Sequence, residues 1–322
     1  MRTVICRRLG PVDELEIVER EEPDPRPGQA VVAVRAAGIS FVESLFVQGL
    51  YQVKPPLPFH PGTIAAGVVA AVGEGVGPEL VGRRVLGRVQ GAWSTAAVAE
   101  ASQLLPLPDE IDFDVAASMV ESYCTALYGL MRRDTVEPGE RVLVLGAGGS
   151  VGLAMIDVAR YQGAEVVAAA SSEEKLAAAR HAGAVELLDS RDADAVAGLR
   201  GDGGDGVDIV VDPVGGTLAS TALRVLRPFG RYHVVGFASG DIPSLPANRV
   251  LLRNRSVIGV DWGDFMRGDP DGDRALMLEL ISLVASGALR PPPPTPYPLD
   301  EIAKALRSFS ERAVVGRLVV NP

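Results

Sequence analysis

Hydrophobic positions in the first third of the chain recur in short runs separated by glycine and proline. The run Val31–Ile39 follows the turn Pro25–Gly28, and Ile64–Gly73 follows Pro61-Gly62. A third run, Arg83–Val89, comes directly after another glycine. Apolar runs of this length with such punctuation are typical of strands. The pattern therefore predicts a compact β-barrel-like domain in this part of the chain.

The pattern changes from about Asp112, where a helix is predicted over Val115–Met131 and strands then alternate with helices. Strands and helices that alternate in this way form a parallel sheet covered by helices. The predicted strands lie at Arg141–Gly146, Ala164–Ala170, Ala184–Asp189, within Gly206–Gly216, and at Arg231–Phe237 and Arg255–Val260, with helices at Val151–Gly163, Glu173–Gly183 and 217–230.

The last part of the chain predicts a helix over Ala275–Ser286, a second over Leu299–Ser310 and a final strand. Between the helices, the proline run Arg290–Pro298 favours an extended connector over a partner-binding polyproline segment. At roughly 100–200 residues per domain, 322 residues predict two domains.

The composition of the chain argues against several classes of function. The net charge of −10 argues against general affinity for nucleic acid or anionic membranes, which need clustered cations. Two cysteines, Cys6 and Cys124, exclude a disulfide framework and a four-cysteine metal lobe, and they suit a reducing compartment. The longest uncharged stretch, Pro55–Gly73, is interrupted by prolines and glycines and does not predict a membrane helix. A cytoplasmic protein without a membrane partner is expected.

A glycine-rich loop, Val144–Gly152, lies between a predicted strand and a predicted helix. Glycine permits the tight turn, the close approach of a pyrophosphate and the packing of helix on strand, and the helix N-terminus offers free N–H groups to phosphates. The loop predicts dinucleotide binding rather than an ordinary glycine-rich turn. The residues predicted to contact the cofactor are Gly146, Gly148, Gly149, Ser150, Val151 and Gly152.

The end of the second predicted strand indicates which dinucleotide binds. An NAD site usually places Asp or Glu there, on the ribose 2′-OH. Here the strand ends in alanines followed by Ser171 and Ser172, with Lys175 one helical turn further on. Hydroxyl groups and a cation suit a 2′-phosphate, so NADPH is favoured over NADH. Glu173 and Glu174 leave the NADH alternative open, although acids there also suit a helix N-terminus.

With these residues in view, the chain resembles the zinc-free quinone oxidoreductases, the zeta-crystallin-like branch of the medium-chain dehydrogenase/reductases. The resemblance covers nearly the whole chain. It rests on the glycine loop and on the motifs Gly38–Val76, Asp212–Gly216, Gly230–Gly240 and Asn254–Val260. These motifs are specific for the family and much less so for the substrate.

The resemblance implies an α/β protein in which a Rossmann doubly wound parallel sheet is inserted into a GroES-like β-barrel catalytic domain. Residues 1–120 and 262–322 would form the catalytic domain, and residues 121–261 the NADPH-binding domain. It also implies hydride transfer in a cleft between the domains, and a homodimer. Beyond the glycine loop and the two serines, the cofactor-binding residues that it implies are Thr125, Pro213, Val214, Gly236, Phe237, Ala238, Ser239 and Arg317.

The chain departs from the family pattern at several positions. The family usually has Asn where this chain has Ser40, and often Asp where it has Glu43. A Tyr that often helps hold the adenosine phosphate corresponds to Ser190. The usual Glu after the Pro-Gly pair is Ile64, and a near-terminal Lys is Arg317. These differences indicate a divergent subfamily whose substrate pocket differs.

Few side chains of the sequence are candidates for catalysis or for the substrate pocket. Ser40, Glu43 and Tyr51 are the catalytic candidates, with Tyr51 as the available proton donor. Tyr51 could equally serve as a pocket wall, and Glu43 as a salt-bridged structural acid. The candidate pocket residues are Phe41, His60 and Trp262, although each could be structural. The cysteines and histidines of the chain do not match the ligand set of zinc-dependent relatives, so no metal is expected.

The function expected from these residues is an NADPH-dependent, zinc-independent reductase that transfers hydride to quinones or α,β-unsaturated carbonyls. The cofactor supplies the reducing power, and a quinone needs no strong acid from the protein. Two alternatives stay open. One is an enoyl-thioester reductase, which benefits from a positioned proton donor. The other is a non-catalytic NADPH-binding protein, such as a sensor.

Overall fold

The computed structural model describes residues 1–52, 54–200 and 205–322. Its contacts divide the chain into two compact units. The first comprises Met1–Glu121 and Pro292–Pro322 and is called the barrel unit here. The second, Ser122–Pro291, is called the Rossmann unit. The chain thus leaves the first unit, forms the second and returns to the first.

The chain up to the unit boundary at Glu121 contains mainly strands, with the first helix inside the motif Gly38–Val76 and the start of the second helix at the boundary. In order, its elements are β1 (Arg2–Ile5), β2 (Glu16–Glu19), β3 (Gln29–Ile39), α1 (Phe41–Gln48), β4 (Ile64–Val72), β5 (Arg84–Arg88), β6 (Ala96–Glu100), β7 (Leu104–Pro106) and α2 (Phe113–Tyr128).

The middle of the chain alternates strands and helices, and α2 continues into a π-helical turn at Gly129–Arg133. The elements are β8 (Arg141–Leu145), α3 (Ser150–Tyr161), β9 (Glu165–Ala170), α4 (Glu173–Ala182), β10 (Glu186–Asp189), α5 (Ala193–Ala197), β11 (Val207–Asp212), α6 (Leu218–Val225), β12 (Leu226–Val234), α7 (Ala247–Leu251), β13 (Ser256–Gly259), α8 (Trp262–Gly268) and α9 (Pro270–Ala285). The chain then returns with β14 (Thr295–Pro298), α10 (Ile302–Ser310) and β15 (Leu318–Asn321).

The main sheet of the barrel unit is built around the long strand β3. Its order is β14-β15-β3-β4-β5-β7, and β6 also pairs with β3. All pairs are antiparallel except β14 with β15. The core is made of small aliphatic side chains around the fully buried Trp93, whose indole nitrogen donates to Gly38 O at 2.9 Å. The predicted GroES-like barrel is confirmed.

The sheet of the Rossmann unit is parallel, with the order β10-β9-β8-β11-β12-β13. Numbered within the unit, this is the order 3-2-1-4-5-6 of dinucleotide-binding folds, in which ligands bind beyond the carboxyl ends of the central strands. The central strands β8, β9 and β11 are almost fully buried, as expected for a sheet covered on both faces. The doubly wound α/β class predicted from the sequence is confirmed.

The structure differs from the sequence prediction at four places. Helix α6 ends at Val225, and residues 226–230 belong to strand β12 rather than to the predicted helix 217–230. The Rossmann unit continues to Pro291, beyond the predicted boundary at residue 262, because α8 and α9 pack on it. The ring of Tyr128 stacks on the ring of Phe265, with 4.7 Å between the ring centroids. The backbone nitrogen of Arg290 donates to Oδ2 of the buried Asp157 at 2.6 Å. Helix α1 was not predicted, since the first third reads as strands. The proline run contains strand β14, which pairs with β15 at the sheet edge, where proline is tolerated.

Among the described residues, no helix is long and apolar enough to cross a lipid bilayer.

Candidate functional site: a dinucleotide cradle and a buried acid cluster

The glycine loop joins β8 to α3, and close contacts require glycine at Gly146 and Gly152. A Cβ atom on Gly152 would lie 2.4 Å from the carbonyl oxygen of Gly146, so only glycine permits the first turn of α3 to pack on the loop. Gly146 has a φ of 58°, in the left-handed region. A Cβ on Gly146 would lie 2.5 Å from Val214 Cγ2. The loop after β8 is therefore in contact with the loop after β11.

The N-terminus of α3 is suited to bind an anion. Its N-cap residue is Gly149, which has no side chain to accept hydrogen bonds from the first N–H groups of the helix. Such N–H groups, together with the positive end of the helix dipole, form a phosphate site. Ser150 and Val151 are the first two residues of the helix. The cradle without side chains fits the pyrophosphate of a dinucleotide.

The predicted 2′-phosphate residues lie next to this loop. Strand β9 ends at Ala170, and Ser172 is the N-cap of α4, its hydroxyl accepting from Lys175 N at 3.3 Å. A Cβ on Gly148 would lie 2.4 Å from Lys175 Cβ, so the lysine stem packs directly on the glycine loop. Ser171 is exposed. The structure thus brings Gly148, Ser172 and Lys175 together, with no acid at the end of β9.

A second loop, after β11, is held by the buried Asp212, a residue that sequence reasoning quoted only as part of a family motif. Asp212 Oδ1 accepts from Val214 N and Gly215 N, each at 2.8 Å. Its Oδ2 accepts from the hydroxyl of Tyr232 at 2.5 Å. Burial, and then the nearby Asp212 carboxylate, raise the pKa of Tyr232. Asp212 therefore shapes the loop that contains Pro213 and Val214.

The residues that follow β12 join this loop through the backbone. Ala238 N donates to Pro213 O at 3.1 Å, and Ser239 N donates to Val214 O at 3.0 Å. Gly236 N donates to Asp212 O at 3.3 Å. Five predicted cofactor residues are thereby brought together within the Rossmann unit: Pro213, Val214, Gly236, Ala238 and Ser239. Phe237 lies among them with a partly exposed ring.

Two further residues that were predicted to contact the cofactor, Thr125 and Arg317, lie outside the loops after β8, β9, β11 and β12. Thr125 is half-buried on α2 in the Rossmann unit. Arg317 belongs to the barrel unit, where its buried guanidinium donates to Pro292 O. Their contact with a cofactor stays a prediction.

In the barrel unit, Ser40 and Glu43 form a capping box at the start of α1. Glu43 N donates to Ser40 Oγ at 3.1 Å, and Ser40 N donates to Glu43 Oε2 at 3.1 Å. The helix ends at Gly49, with a left-handed φ of 71°. The Ser-x-x-Glu spacing is a known helix-start pattern, so this signal was available in the sequence. Glu43 thus has a structural role at the helix terminus.

Glu43 also bonds beyond its own helix. Its Oε1 accepts from Thr63 N at 3.0 Å and from Thr63 Oγ1 at 3.3 Å. Only 6% of Glu43 is exposed. Burial, followed by repulsion from Glu121, raises the pKa of Glu43 to about 8. Burial also raises the pKa of Glu121, whose carboxylate is bonded to the Ser40 side chain. Sequence reasoning missed Glu121, because it lies inside a helix without a motif.

The remaining substrate-side candidates are engaged with neighbours in the barrel unit. The ring of Tyr51 packs edge to face on the ring of Phe46, with 4.7 Å between the ring centroids. The rings of Phe41 and Phe309 pack in the same way, with centroids 6.1 Å apart. His60 is bonded at both ring nitrogens: Nδ1 lies 2.8 Å from Val4 O and Nε2 lies 2.7 Å from Arg20 Nη1. These contacts fix the His60 ring in place, and its role toward substrate stays a prediction.

Trp262, the third candidate for the substrate pocket, belongs to the Rossmann unit. It is the first residue of α8, and its indole nitrogen donates to the buried Asp273 at 2.8 Å. The structure therefore does not group Trp262 with Phe41 and His60 within one unit.

The described residues contain no group of three or more His, Cys, Asp or Glu side chains arranged to hold a metal ion. The two cysteines are buried thiols without a disulfide.

The order of the parallel sheet, its glycine cradle and the barrel formed by the two ends of the chain define a medium-chain dehydrogenase/reductase. Two family models match: "Alcohol dehydrogenase GroES-like domain" over residues 26–109 and "Zinc-binding dehydrogenase" over residues 150–282.

Individual proteins agree with these models. The chain is 36% identical to the bovine (Bos taurus) quinone oxidoreductase-like protein 2 over 312 residues, which is 95% of this chain and 88% of the relative. It is 28% identical to the Escherichia coli quinone oxidoreductase complexed with NADPH, with a TM-score of 0.88 and full coverage of both chains. The CurK enoyl reductase is 27% identical, with a TM-score of 0.87 over 99% of this chain and 98% of that one. The chain belongs to the quinone oxidoreductase branch of the medium-chain dehydrogenase/reductases.

Proposed function

We propose that this chain is an NADPH-dependent, zinc-independent reductase of quinones or α,β-unsaturated carbonyls. The observation that supports it most is the packing of Lys175 on Gly148, beside Ser171 and Ser172 at the end of β9. A lysine at this position offers a cation to a 2′-phosphate, and NADPH has this group whereas NADH lacks it. The E. coli relative was solved with NADPH, which supports the same cofactor here.

The residues of the Rossmann unit would bind and orient the cofactor. The N–H groups at the start of α3 would hold the pyrophosphate, and Ser171, Ser172 and Lys175 the 2′-phosphate. The loop held by Asp212 would position the nicotinamide end. When bound, the nicotinamide supplies a hydride. The substrate-side role of Ser40, Glu43 and Tyr51 is part of the same proposal.

The side chains that the barrel unit presents support the proposal of zinc independence. A catalytic zinc site takes three side chains from Cys, His, Asp or Glu. In the acid cluster, Glu43 already accepts bonds from Ser40 N, Thr63 N and Thr63 Oγ1, and the adjoining groups are one carboxyl, that of Glu121, and the hydroxyls of Ser40 and Thr63. His60 is bonded at both ring nitrogens. Zinc analysis of the purified protein should find far less than one ion per chain, and retained stoichiometric zinc would contradict the proposal.

Replacing Lys175 tests the choice of cofactor. A charge-assisted hydrogen bond contributes roughly 1.5–3 kcal/mol, so Lys175→Ala should raise the Kd for NADPH by about 10- to 100-fold. The Kd for NADH should change little, because NADH lacks the 2′-phosphate. Lys304→Ala is the matched control, since Lys304 lies exposed on α10 in the barrel unit, paired with Glu301. Equal effects on NADPH and NADH would contradict the assignment of Lys175.

The acceptor is tested by offering NADPH with phenanthrenequinone, a simple enone and a short enoyl thioester in parallel. Consumption with the quinone or the enone supports the proposal. The likeness to the CurK enoyl reductase favours an enoyl-thioester reductase as the second candidate. Turnover with the thioester alone would establish that candidate instead. Tight NADPH binding with no turnover would favour a non-catalytic binding role.

We also propose a homodimer formed through the edge strand β13. Ser256, Val257 and Gly259 are exposed along this strand, and unpaired strand edges favour pairing with another chain. Light scattering should give twice the chain mass of 33.7 kDa. Val257→Asp should give the single chain mass. Val185→Asp, a change at another exposed valine, should leave the dimer intact, and a monomeric wild-type protein would contradict the proposal.

A further inference from the structure

A second cation of the Rossmann unit lies near the end of β9, at the end of the strand that pairs with it. Strands β9 and β10 are parallel, with Asp189 opposite Ala170, and Ser190 N donates to Ala170 O at 3.0 Å. The next residue along the chain is Arg191. The turn that ends β10 therefore lies beside the turn after β9, which contains the serines predicted to contact the 2′-phosphate.

The side chain of Arg191 is held at this turn by Asp189. Arg191 Nη2 donates to Asp189 Oδ2 at 2.6 Å, and Arg191 Nε donates to Oδ1 at 2.9 Å. The backbone nitrogen of Arg191 also donates to Oδ1, at 2.9 Å. These bonds use Nε and Nη2, and 70% of the Arg191 side chain is exposed. A guanidinium has five N–H donors, so Arg191 can bind a further acceptor through Nη1.

Arg191 also acts on the acid that begins α4. The pKa of the Arg191 guanidinium is raised, first by its hydrogen bonds to Asp189 and then by the charges of Asp189 and Glu173. Glu173 directly follows Ser172, the N-cap of α4, and is exposed. An acid near the end of the second strand favours the ribose 2′-OH of NADH and repels a 2′-phosphate. The positive charge of Arg191 offsets that repulsion.

The charge of Lys175 does not by itself outweigh the acids at this end of the sheet. Glu173 and Glu174 lie in the first turn of α4. Asp189 is the last residue of β10, and Asp192 is the N-cap of α5. A phosphate monoester adds a charge of about −1.5 to −2 at neutral pH. Preference for this phosphate over the hydroxyl of NADH therefore needs a second cation.

We propose that Arg191 is a specificity-determining residue for NADPH, and that it binds the 2′-phosphate together with Lys175. The inference rests on the proposed function. The family resemblance places a phosphate-binding tyrosine at the position of Ser190, whose side chain is too short to replace it. Arg191, the next residue, replaces that contact with a charged one and compensates Glu173. Arginine suits this role because its planar fork of donors matches phosphate oxygens.

The first test measures nucleotide binding by calorimetry and needs neither the nicotinamide nor an acceptor. Adenosine 2′,5′-bisphosphate has the 2′-phosphate, and adenosine 5′-monophosphate lacks it. Arg191→Gln should raise the Kd of the bisphosphate by about 5- to 50-fold, because charge-assisted bonds to phosphate are stronger than exposed ion pairs. The Kd of the monophosphate should change less than about twofold.

The matched control is Arg267→Gln. Arg267 is another exposed arginine of the Rossmann unit, and it pairs with the nearby Asp264 on α8. This variant should bind both nucleotides as the wild-type protein does. Equal changes for the two nucleotides in Arg191→Gln, or no change for either, would overturn the inference.

The second test separates a phosphate contact from the pairing of Arg191 with the acids. In an Asp189→Asn background, Arg191→Gln should still weaken binding of the bisphosphate, because the lost contact is with the phosphate itself. An effect that disappears in this background would show that Arg191 only neutralises Asp189. Adding Glu173→Gln to Arg191→Gln should recover part of the affinity, as a double-mutant cycle reports for coupled charges. No recovery would contradict the compensation of Glu173.

Failure of this inference and failure of the proposed function give different results. If Lys175→Ala weakens binding of the bisphosphate and Arg191→Gln does not, the choice of NADPH stands and the role of Arg191 is wrong. If the wild-type protein binds the two nucleotides equally, both the choice of NADPH and the role of Arg191 are wrong. Selective binding of the bisphosphate that depends on Arg191, in a protein that reduces no acceptor, would overturn the reductase and retain the role of Arg191.

Discussion

The variant Gly152→Ala should lose most of its affinity for NADPH and part of its stability. Its new Cβ would lie 2.4 Å from Gly146 O and 2.8 Å from Ala147 Cα, contacts that force backbone atoms apart. Relieving them must move either the start of α3 or the loop after β8, and both form the phosphate cradle. Overpacking of this kind costs roughly 1–3 kcal/mol in stability. We expect the Kd for NADPH to rise at least about 100-fold, because the cradle geometry changes.

The matched control is Gly198→Ala. Gly198 lies in the same unit, after α5, and a Cβ there would meet no atom within 4 Å. This variant should bind NADPH as the wild-type protein does. The measurements are nicotinamide fluorescence titration and denaturant unfolding of both variants. Wild-type affinity in Gly152→Ala would show that the loop does not form the cofactor site.

The second large effect is the dependence of the unfolding free energy on pH, which arises from the buried acid Glu43. Its pKa is about 8 in the folded chain, above the ordinary value of 4.5. The folded state therefore binds this proton more tightly than the unfolded state. The stability that the proton contributes is complete below pH 4.5 and is lost as the pH rises through 8. Because each pKa unit corresponds to about 1.4 kcal/mol, several kcal/mol of unfolding free energy depend on this group.

Glu43→Gln removes the titration and retains a capping-box side chain. Relative to this variant, the wild-type protein should lose stability between pH 5 and pH 9, so the two curves should converge or cross on the alkaline side. Urea midpoints measured at several pH values provide the comparison, with Glu110→Gln as the control that follows the wild-type curve. Parallel curves for wild type and Glu43→Gln would show that Glu43 is ionised throughout.

Most of the fold could be predicted from the sequence, since its periodicities are strong. The alternation of apolar strands and glycine-terminated helices after residue 112 predicted the parallel sheet, and the loop at Gly146–Gly152 predicts the end of that sheet at which a cofactor binds. Lys175 lies after β9 and beside the glycine loop, because strand order fixes which loop follows β9, and its contact with a 2′-phosphate stays a prediction.

Other features depend on tertiary contacts that no local pattern contains. Helix α8 joins the Rossmann unit through the stacking of Tyr128 on Phe265, and the segment after α9 joins it through the bond from Arg290 N to Asp157. The link between Glu121 and Ser40 joins residues far apart in the chain, so Glu121 had no sequence signal. Helix α1 did have one, in Ser40-x-x-Glu43, but it is short and lies among strands.

The central claim is that this chain reduces a carbonyl acceptor with NADPH held at Lys175. The most direct measurement is kcat/KM for NADPH and for NADH with phenanthrenequinone, in the wild-type protein and in Lys175→Ala. We expect the wild-type protein to favour NADPH by at least about tenfold, and Lys175→Ala to lose that preference, because the phosphate contact contributes roughly 1.5–3 kcal/mol. Equal use of NADH by the wild-type protein, or a preference unchanged in Lys175→Ala, would contradict the account.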